Sequence, residues 1–310
     1  MSIFNLKDIK GVIPALITPF DCDENVDFEK LKGLVNYLLS QGVDGFYLTG
    51  STGQGIMMDT SERKAVVETV IDEVGGKVPI IVHVGTIDTK HAIELAKHAY
   101  EAGADAISSI PPFYYKFSFE ELYGYYEDVA QSTPLPMIIY SIPATTGVNM
   151  GIDAIKKLSG IENVKGIKYT SMNHYEMQRI KEHIGQDFVV YSGADEMCVS
   201  GLMMGADGII GSFYNLDPEI YIAIYNDIKT GEYQKANEKL KIANDVIEVC
   251  LKYGCYPSIR AGLRWMGIDC GIDRKPFKQL DDNELKSLRK ELKRIKDIKG
   301  TSGIRLLEFV

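Results

Sequence analysis

The feature that most constrains this chain is an alternation: short β-rich apolar runs are separated by segments of helical period. The runs are VIPALITPF (12–20), GFYLTG (45–50), PIIVHV (79–84) and AISSIPP (106–112), followed by PMIIYS (136–141), VKGIKYT (164–170), FVVYSG (188–193) and GIIGS (208–212). None carries a helix period, so each reads as a buried strand, at a spacing of roughly 20 to 35 residues. The segments between them are amphipathic. In 27–41, Phe28, Leu31, Leu34, Val35 and Leu38 share one stripe, and 88–102 ends at Gly103, a residue suited to a C-cap. Strand then helix, eight times over, predicts parallel strands with crossover helices. Eight repeats close into a TIM (β/α)8 barrel more naturally than into a doubly wound open sheet, the α/β alternative that counting alone leaves open.

Helical patterns follow the eighth strand at 217–230, 232–253, 256–268 and 281–299, the last marked by Leu285, Leu288, Leu292 and Ile295. Only the first completes the barrel. The expected organisation is therefore a barrel over 8–230, a C-terminal helical extension over 231–299, and a tail over 300–310 that breaks the pattern. That tail, a Gly-Thr-Ser-Gly break and then IRLLEFV, reads as a frayed end, a packing arm or an appended segment, and no function is assigned to it.

Composition narrows the function classes. Lys and Arg total 34 against 43 Asp and Glu, a net charge of −9 that repels a phosphate backbone. No apolar stretch approaches the ~20 residues that span a bilayer, and the start, MSIFNLKDIKG, lacks a basic segment followed by an apolar run, so a cytoplasmic protein is expected. The five cysteines (Cys22, Cys198, Cys250, Cys255, Cys270) are odd in number and never spaced C-x-x-C, which favours reduced thiols. The five histidines form no H-E-x-x-H, and His91 with His98 read as one solvated helix face, so no metal site is expected.

In a barrel the C-terminal ends of the strands converge on one mouth. Alternation in the sixth run places Val164, Gly166, Lys168 and Thr170 on one face, with Gly166 leaving room beside an inward Lys168. Lys168 either faces outward, or makes a structural ion pair, or is a desolvated amine released as a nucleophile toward a carbonyl carbon. The resulting protonated imine is an electron sink, and aldol cleavage through it needs no metal. Tyr140 falls at the end of the neighbouring run, as a packing residue or as a proton shuttle beside Lys168. GSTGQG (50–55) offers backbone N–H groups and the hydroxyls of Ser51 and Thr52 to a carboxylate, and lacks the spacing of a nucleotide loop. Asp195 and Glu196 suit a polyhydroxylated ligand or an N-cap. Gly208–Ser212 could take a phosphate, though no Lys or Arg lies in that loop.

Taken in order, GSTGQG, PPFYYKFSFEE, YSIPATTGVNM, GIKYTSMNHYEM, YSGADE, GADGIIGS and RKPF resemble the family that unites N-acetylneuraminate lyases with dihydrodipicolinate synthases, over about residues 8 to 298. The resemblance implies a TIM barrel with a C-terminal helical extension, usually a homotetramer. It also implies a class I aldolase that reversibly cleaves N-acetylneuraminate to N-acetylmannosamine and pyruvate, with no cofactor beyond its own lysine. Matched residue by residue, it implies that Lys168 is the Schiff-base lysine and Tyr140 the acid/base tyrosine. Ser51 and Thr52 would grip the pyruvate carboxylate, with Ser51 also in a proton relay, and Thr170 would orient the C4 hydroxyl. Gly193, Asp195, Glu196 and Ser212 would hold the sugar tail, and Tyr114 would reach into a neighbouring subunit's site.

Two positions depart from the pattern. The family turn usually reads G-S-T-G-E; Gln54 keeps an acceptor and loses the charge, and activity is expected to survive. Where dihydrodipicolinate synthases carry an arginine after the tyrosine, this chain has Ala144, Thr145 and Thr146, which favours the sialic acid branch. The alternatives are another pyruvate-dependent aldolase or hydro-lyase of the family, or a homologue that binds a keto acid without turning it over.

Overall fold

The computed structural model describes residues 4–310. Its eight strands are β1 (Gly11–Pro14), β2 (Phe46–Leu48), β3 (Ile80–His83), β4 (Ala106–Ser109), β5 (Met137–Ser141), β6 (Val164–Tyr169), β7 (Val189–Ser192) and β8 (Gly208–Gly211). They pair in parallel in the order β1-β8-β7-β6-β5-β4-β3-β2. A parallel bridge between Ala15 and Tyr47, with the Leu16 N–H donating to the Tyr47 carbonyl at 2.9 Å, joins the two ends. The chain is a TIM barrel.

Caps set where the surrounding helices begin. Asp27, Asp59, Asp88 and Ser118 each accept from a backbone N–H of the following first turn, and at Asp59 and Ser118 the third helical residue, a glutamate, completes a capping box. The stripe predicted in the first helix is buried at Leu31, Leu34, Val35 and Leu38, each contributing about 1.5–3 kcal/mol of apolar burial. The core has two layers. Ile13, Tyr47, Ile81, Ile138, Tyr140, Val189, Tyr191 and Ile210 fill the barrel, while the alternate residues of the same strands pack against the helices.

Several strands are shorter than predicted. Beyond the Ala15–Tyr47 bridge the run to Phe20 stays buried but leaves the ladder, and the Asn215 side chain takes the place of a neighbouring strand. Its amide donates to the Ala15 carbonyl at 2.7 Å, and its oxygen accepts from the Ile17 N–H at 3.2 Å. In β6 the expected alternation fails at one end. The β5–β6 register shifts, pairing Met137 with Val164 and Ile138 with Gly166, and this irregularity turns Val164 into the outer core while Gly166 stays on the Lys168 face. Gly166 is small for a different reason from the one predicted: a Cβ there would stand 2.7 Å from the Val189 carbonyl of β7.

Beyond the helix Pro218–Lys229 come Tyr233–Tyr253, Cys255–Trp265 and Asp282–Lys299, the third expected helix stopping short of 268. The tail is packed against the fold rather than frayed. Ile304, Leu306 and Leu307 are buried, and the N–H groups of Arg305 and Leu306 donate to Glu219 (2.6 Å) and Asp217 (3.3 Å). All five cysteines are free thiols. Among the described residues no helix is long and apolar enough to cross a membrane.

Candidate active site

Lys168 is only 3% exposed, and among the described residues it makes no ion pair. Its register partner on β5 is Tyr140, and its partner on β7 is Tyr191. The Nζ lies 4.1 Å from the centroid of the Tyr140 ring and 4.2 Å from that of Tyr47, so two aromatic faces occupy the place of a carboxylate. Neither the outward nor the ion-paired reading of Lys168 is realised.

Two further residues of this floor escaped the sequence reading. Tyr47 donates its hydroxyl to Ser108 Oγ at 3.0 Å, and its ring meets Tyr140 edge-on at 5.8 Å. His83 also meets Tyr140 edge-on at 5.8 Å. Its Nδ1–H donates to the Thr49 carbonyl at 3.0 Å, while Nε2 accepts from the Ile110 N–H at 3.4 Å. Burial, and then the nearby Arg63 guanidinium, hold His83 neutral well below its usual range. Arg63 is itself buried, which pushes it down to about 10, and it donates to the carbonyls of His83 (2.6 Å) and Gly85 (3.0 Å). The available signal for Tyr47 was the period of 2 in GFYLTG, which sets it on the face opposite Phe46 and Leu48; His83 had only its place at a strand end.

The turn after β2 is tied across the barrel. Thr52 Oγ1 and Ser212 Oγ share a hydrogen bond of 2.7 Å, joining the expected carboxylate grip to a residue expected on the sugar. Ser51 is half-buried and lines a cavity of about 220 Å³ with Ile110, Phe113, Ile142 and Tyr256.

A second cavity, of about 490 Å³, is lined by Thr170, Gly193, Asp195, Glu196 and Ser212 together with Ala144, and is roofed by Ile247, Leu251 and Cys255 of the C-terminal helices. Thr170 Oγ1 is buried there without a partner, a polar group suited to a ligand hydroxyl. Asp195 does not cap a helix; it accepts from the Phe213 N–H at 2.8 Å. Burial pushes its carboxyl up to about 7. Ala144, at the same rim, has no charge to offer a second substrate carboxylate. Tyr114 stands apart: it is 83% exposed, has φ of 80°, and lines a separate groove of about 680 Å³ with Tyr115, Phe117 and Lys157. Among the described residues no three His, Cys, Asp or Glu side chains gather as a metal-holding group.

Residues 8–295 fit the model of the dihydrodipicolinate synthetase family. A Citrobacter koseri protein named N-acetylneuraminate lyase is 40% identical over 291 residues, covering 92% of this chain and 98% of the relative. The structure of CdNal from Clostridium difficile in complex with mannosamine superposes with a TM-score of 0.90 at 34% identity, over 93% of this chain and 99% of that one. A Ruminococcus gnavus sialic acid aldolase with its catalytic lysine mutated gives a TM-score of 0.91 at 31% identity, over 100% of both chains.

Proposed function

The chain belongs to the dihydrodipicolinate synthetase family, and on that premise we propose that it is a carbon–carbon lyase of the class I aldolase type, cleaving N-acetylneuraminate reversibly to N-acetylmannosamine and pyruvate. The observation that carries this reading is Lys168, a buried amine without an ion pair among the described residues, with its Nζ against the rings of Tyr47 and Tyr140. In the proposal Lys168 Nζ attacks the C2 ketone of the open-chain sugar, and the ketone oxygen leaves as water with one proton from the amine and one from the Tyr140 hydroxyl, giving a protonated imine and a Tyr140 phenolate. The Tyr140 phenolate takes the C4 hydroxyl proton, directly or through Thr170 and the substrate carboxylate. The C3–C4 bond then breaks: its electron pair flows into the imine, and C4 becomes the aldehyde of N-acetylmannosamine. The enamine left on Lys168 is protonated at C3 and hydrolysed to pyruvate.

The other residues take their roles from their places around the site. Ser51, Thr52 and the backbone amides of their turn anchor the pyruvate carboxylate. Gly193, Asp195, Glu196 and Ser212 hold the sugar hydroxyls, with Thr170 on the C4 oxygen. Carbon–carbon cleavage by this route draws on no cofactor besides the lysine. The same reading makes the protein a cytosolic homotetramer in which Tyr114 completes a neighbour's site.

The test is reductive trapping. Pyruvate with borohydride should add one reduced pyruvate to the peptide carrying Lys168, and Lys168→Ala should abolish both adduct and turnover. An adduct on another lysine, or none, would overturn the assignment.

A further inference from the structure

We infer that Asp273 is a positioning residue for the carboxylate-binding turn, acting through Gln54, and that the two side chains are matched in charge around the buried Arg260; this rests on the functional reading above. Gln54 closes the turn that carries Ser51 and Thr52, in a left-handed conformation with φ of 54° and only 3% exposed. Both ends of its amide are tied to one distant segment. Nε2 donates to Asp273 Oδ1 at 2.5 Å, and Oε1 accepts from the Arg274 N–H at 3.1 Å. This pattern fixes which end of the amide is which.

Asp273 Oδ1 also accepts from Arg260 Nε at 2.7 Å, and both partners are almost wholly buried. The remaining nitrogens of Arg260 donate to the carbonyls of Cys270 and, at 2.9 Å, Thr18. Thr18 borders the turn from its other side: a Cβ on Gly53 would lie 3.2 Å from Thr18 Oγ1. Arg274 reaches past the turn, donating to the Met57 carbonyl at 2.9 Å and to Glu62. The pair at 273 and 274 therefore grips the turn at its last residue and again just beyond it.

The charges close only one way. One guanidinium faces one carboxylate, a neutral amide links them to the turn, and Asp273 Oδ2 has no partner. An acid at position 54 would set two carboxylates against each other around a single cation. An amide at 273 alone would leave Arg260 without a counter-charge. With both changes one anion and one cation remain, and the amide at 273 has an oxygen for Arg260 and a nitrogen for the new acid.

The experiment uses the full-length protein in the synthetic direction, with pyruvate and N-acetylmannosamine, alongside thermal denaturation. Gln54→Glu should raise the KM for pyruvate about tenfold while kcat changes less, because the displaced groups are those that hold the carboxylate. Asp273→Asn should act in the same direction and lower the melting temperature. The double variant should recover most of the lost pyruvate affinity and melting temperature. Multiplicative effects in the double variant, or an unchanged pyruvate KM in Gln54→Glu, would overturn the inference. Borohydride trapping on the unaltered chain scores the functional reading separately: were it to fail, the melting-temperature cycle would still decide whether 54 and 273 are coupled.

Discussion

Gly193 and Thr170 meet at the mouth of the barrel so closely that a Cβ on Gly193 would stand 2.0 Å from Thr170 Oγ1, and 3.3 Å from Cε of Lys168. The missing side chain on β7's end is what leaves the threonine hydroxyl facing the cavity. Gly193→Ala should therefore displace Thr170 and crowd Lys168, at a cost of about 1–3 kcal/mol. If Thr170 and Lys168 act on the reacting carbons, most of that cost appears as a kcat/KM lowered by roughly ten- to a hundredfold. Steady-state kinetics on the purified variant measures it, with pyruvate trapping as a check that the amine still reacts.

Asp195 gives the fold a pH signature. Burial raises its carboxyl to about 7 from an ordinary value of 3.8, so the folded state holds this proton more tightly than the unfolded state does. Between those two values stability falls as pH rises, on the order of 1 kcal/mol per pH unit, and levels off above the folded value. Asp195→Asn removes this term while keeping an oxygen for the Phe213 N–H. The melting temperature of the variant should gain on that of the unaltered chain from pH 4 to pH 7 and hold its lead above. A difference that does not change with pH would show that Asp195 titrates as an ordinary carboxylate.

The inward direction of Lys168 and Tyr140 was legible because a period of 2 runs unbroken from Gly166 to Lys168 and from Ile138 to Tyr140. The same rule misplaced Val164, since an irregularity between strands leaves no trace in either strand's composition. Ala15–Phe20 read as strand because its burial is real; past the bridge to Tyr47 its polar partner is the Asn215 side chain, about 200 residues away in sequence. Distance also hid the links Thr52–Ser212 and Gln54–Asp273, separated by 160 and 219 positions. Side-chain pairs across a barrel mouth depend on closure, and closure is a property of the whole chain.

Burying an amine with no carboxylate beside it works against the fold. Lys168 is in that position: among the described residues it makes no ion pair, and the faces of Tyr47 and Tyr140 lie against its Nζ. Lys168→Met preserves the length of the side chain and removes the polar end. The variant should lose turnover and pyruvate trapping altogether and melt at a temperature equal to or above that of the unaltered chain. A lower melting temperature would mean that the amine has a structural role here.

The C-terminal arm should stabilise the barrel although it lies outside it. Leu306 is wholly buried, packs toward Gly262 of the helix Cys255–Trp265, and follows Arg305, whose N–H is held by Glu219. Its own N–H is held by Asp217, at the start of the helix that completes the barrel. Leu306→Ala should cost about 2–5 kcal/mol, as for other fully buried leucines, seen as a lower urea midpoint at unchanged slope. No residue of the arm lines the sugar cavity, so kcat and KM measured well below the melting temperature should stay within about twofold of the unaltered chain. A kinetic change larger than the stability change would place the arm in contact with the active site through Asp217 and the segment Phe213–Asn215 that follows Ser212.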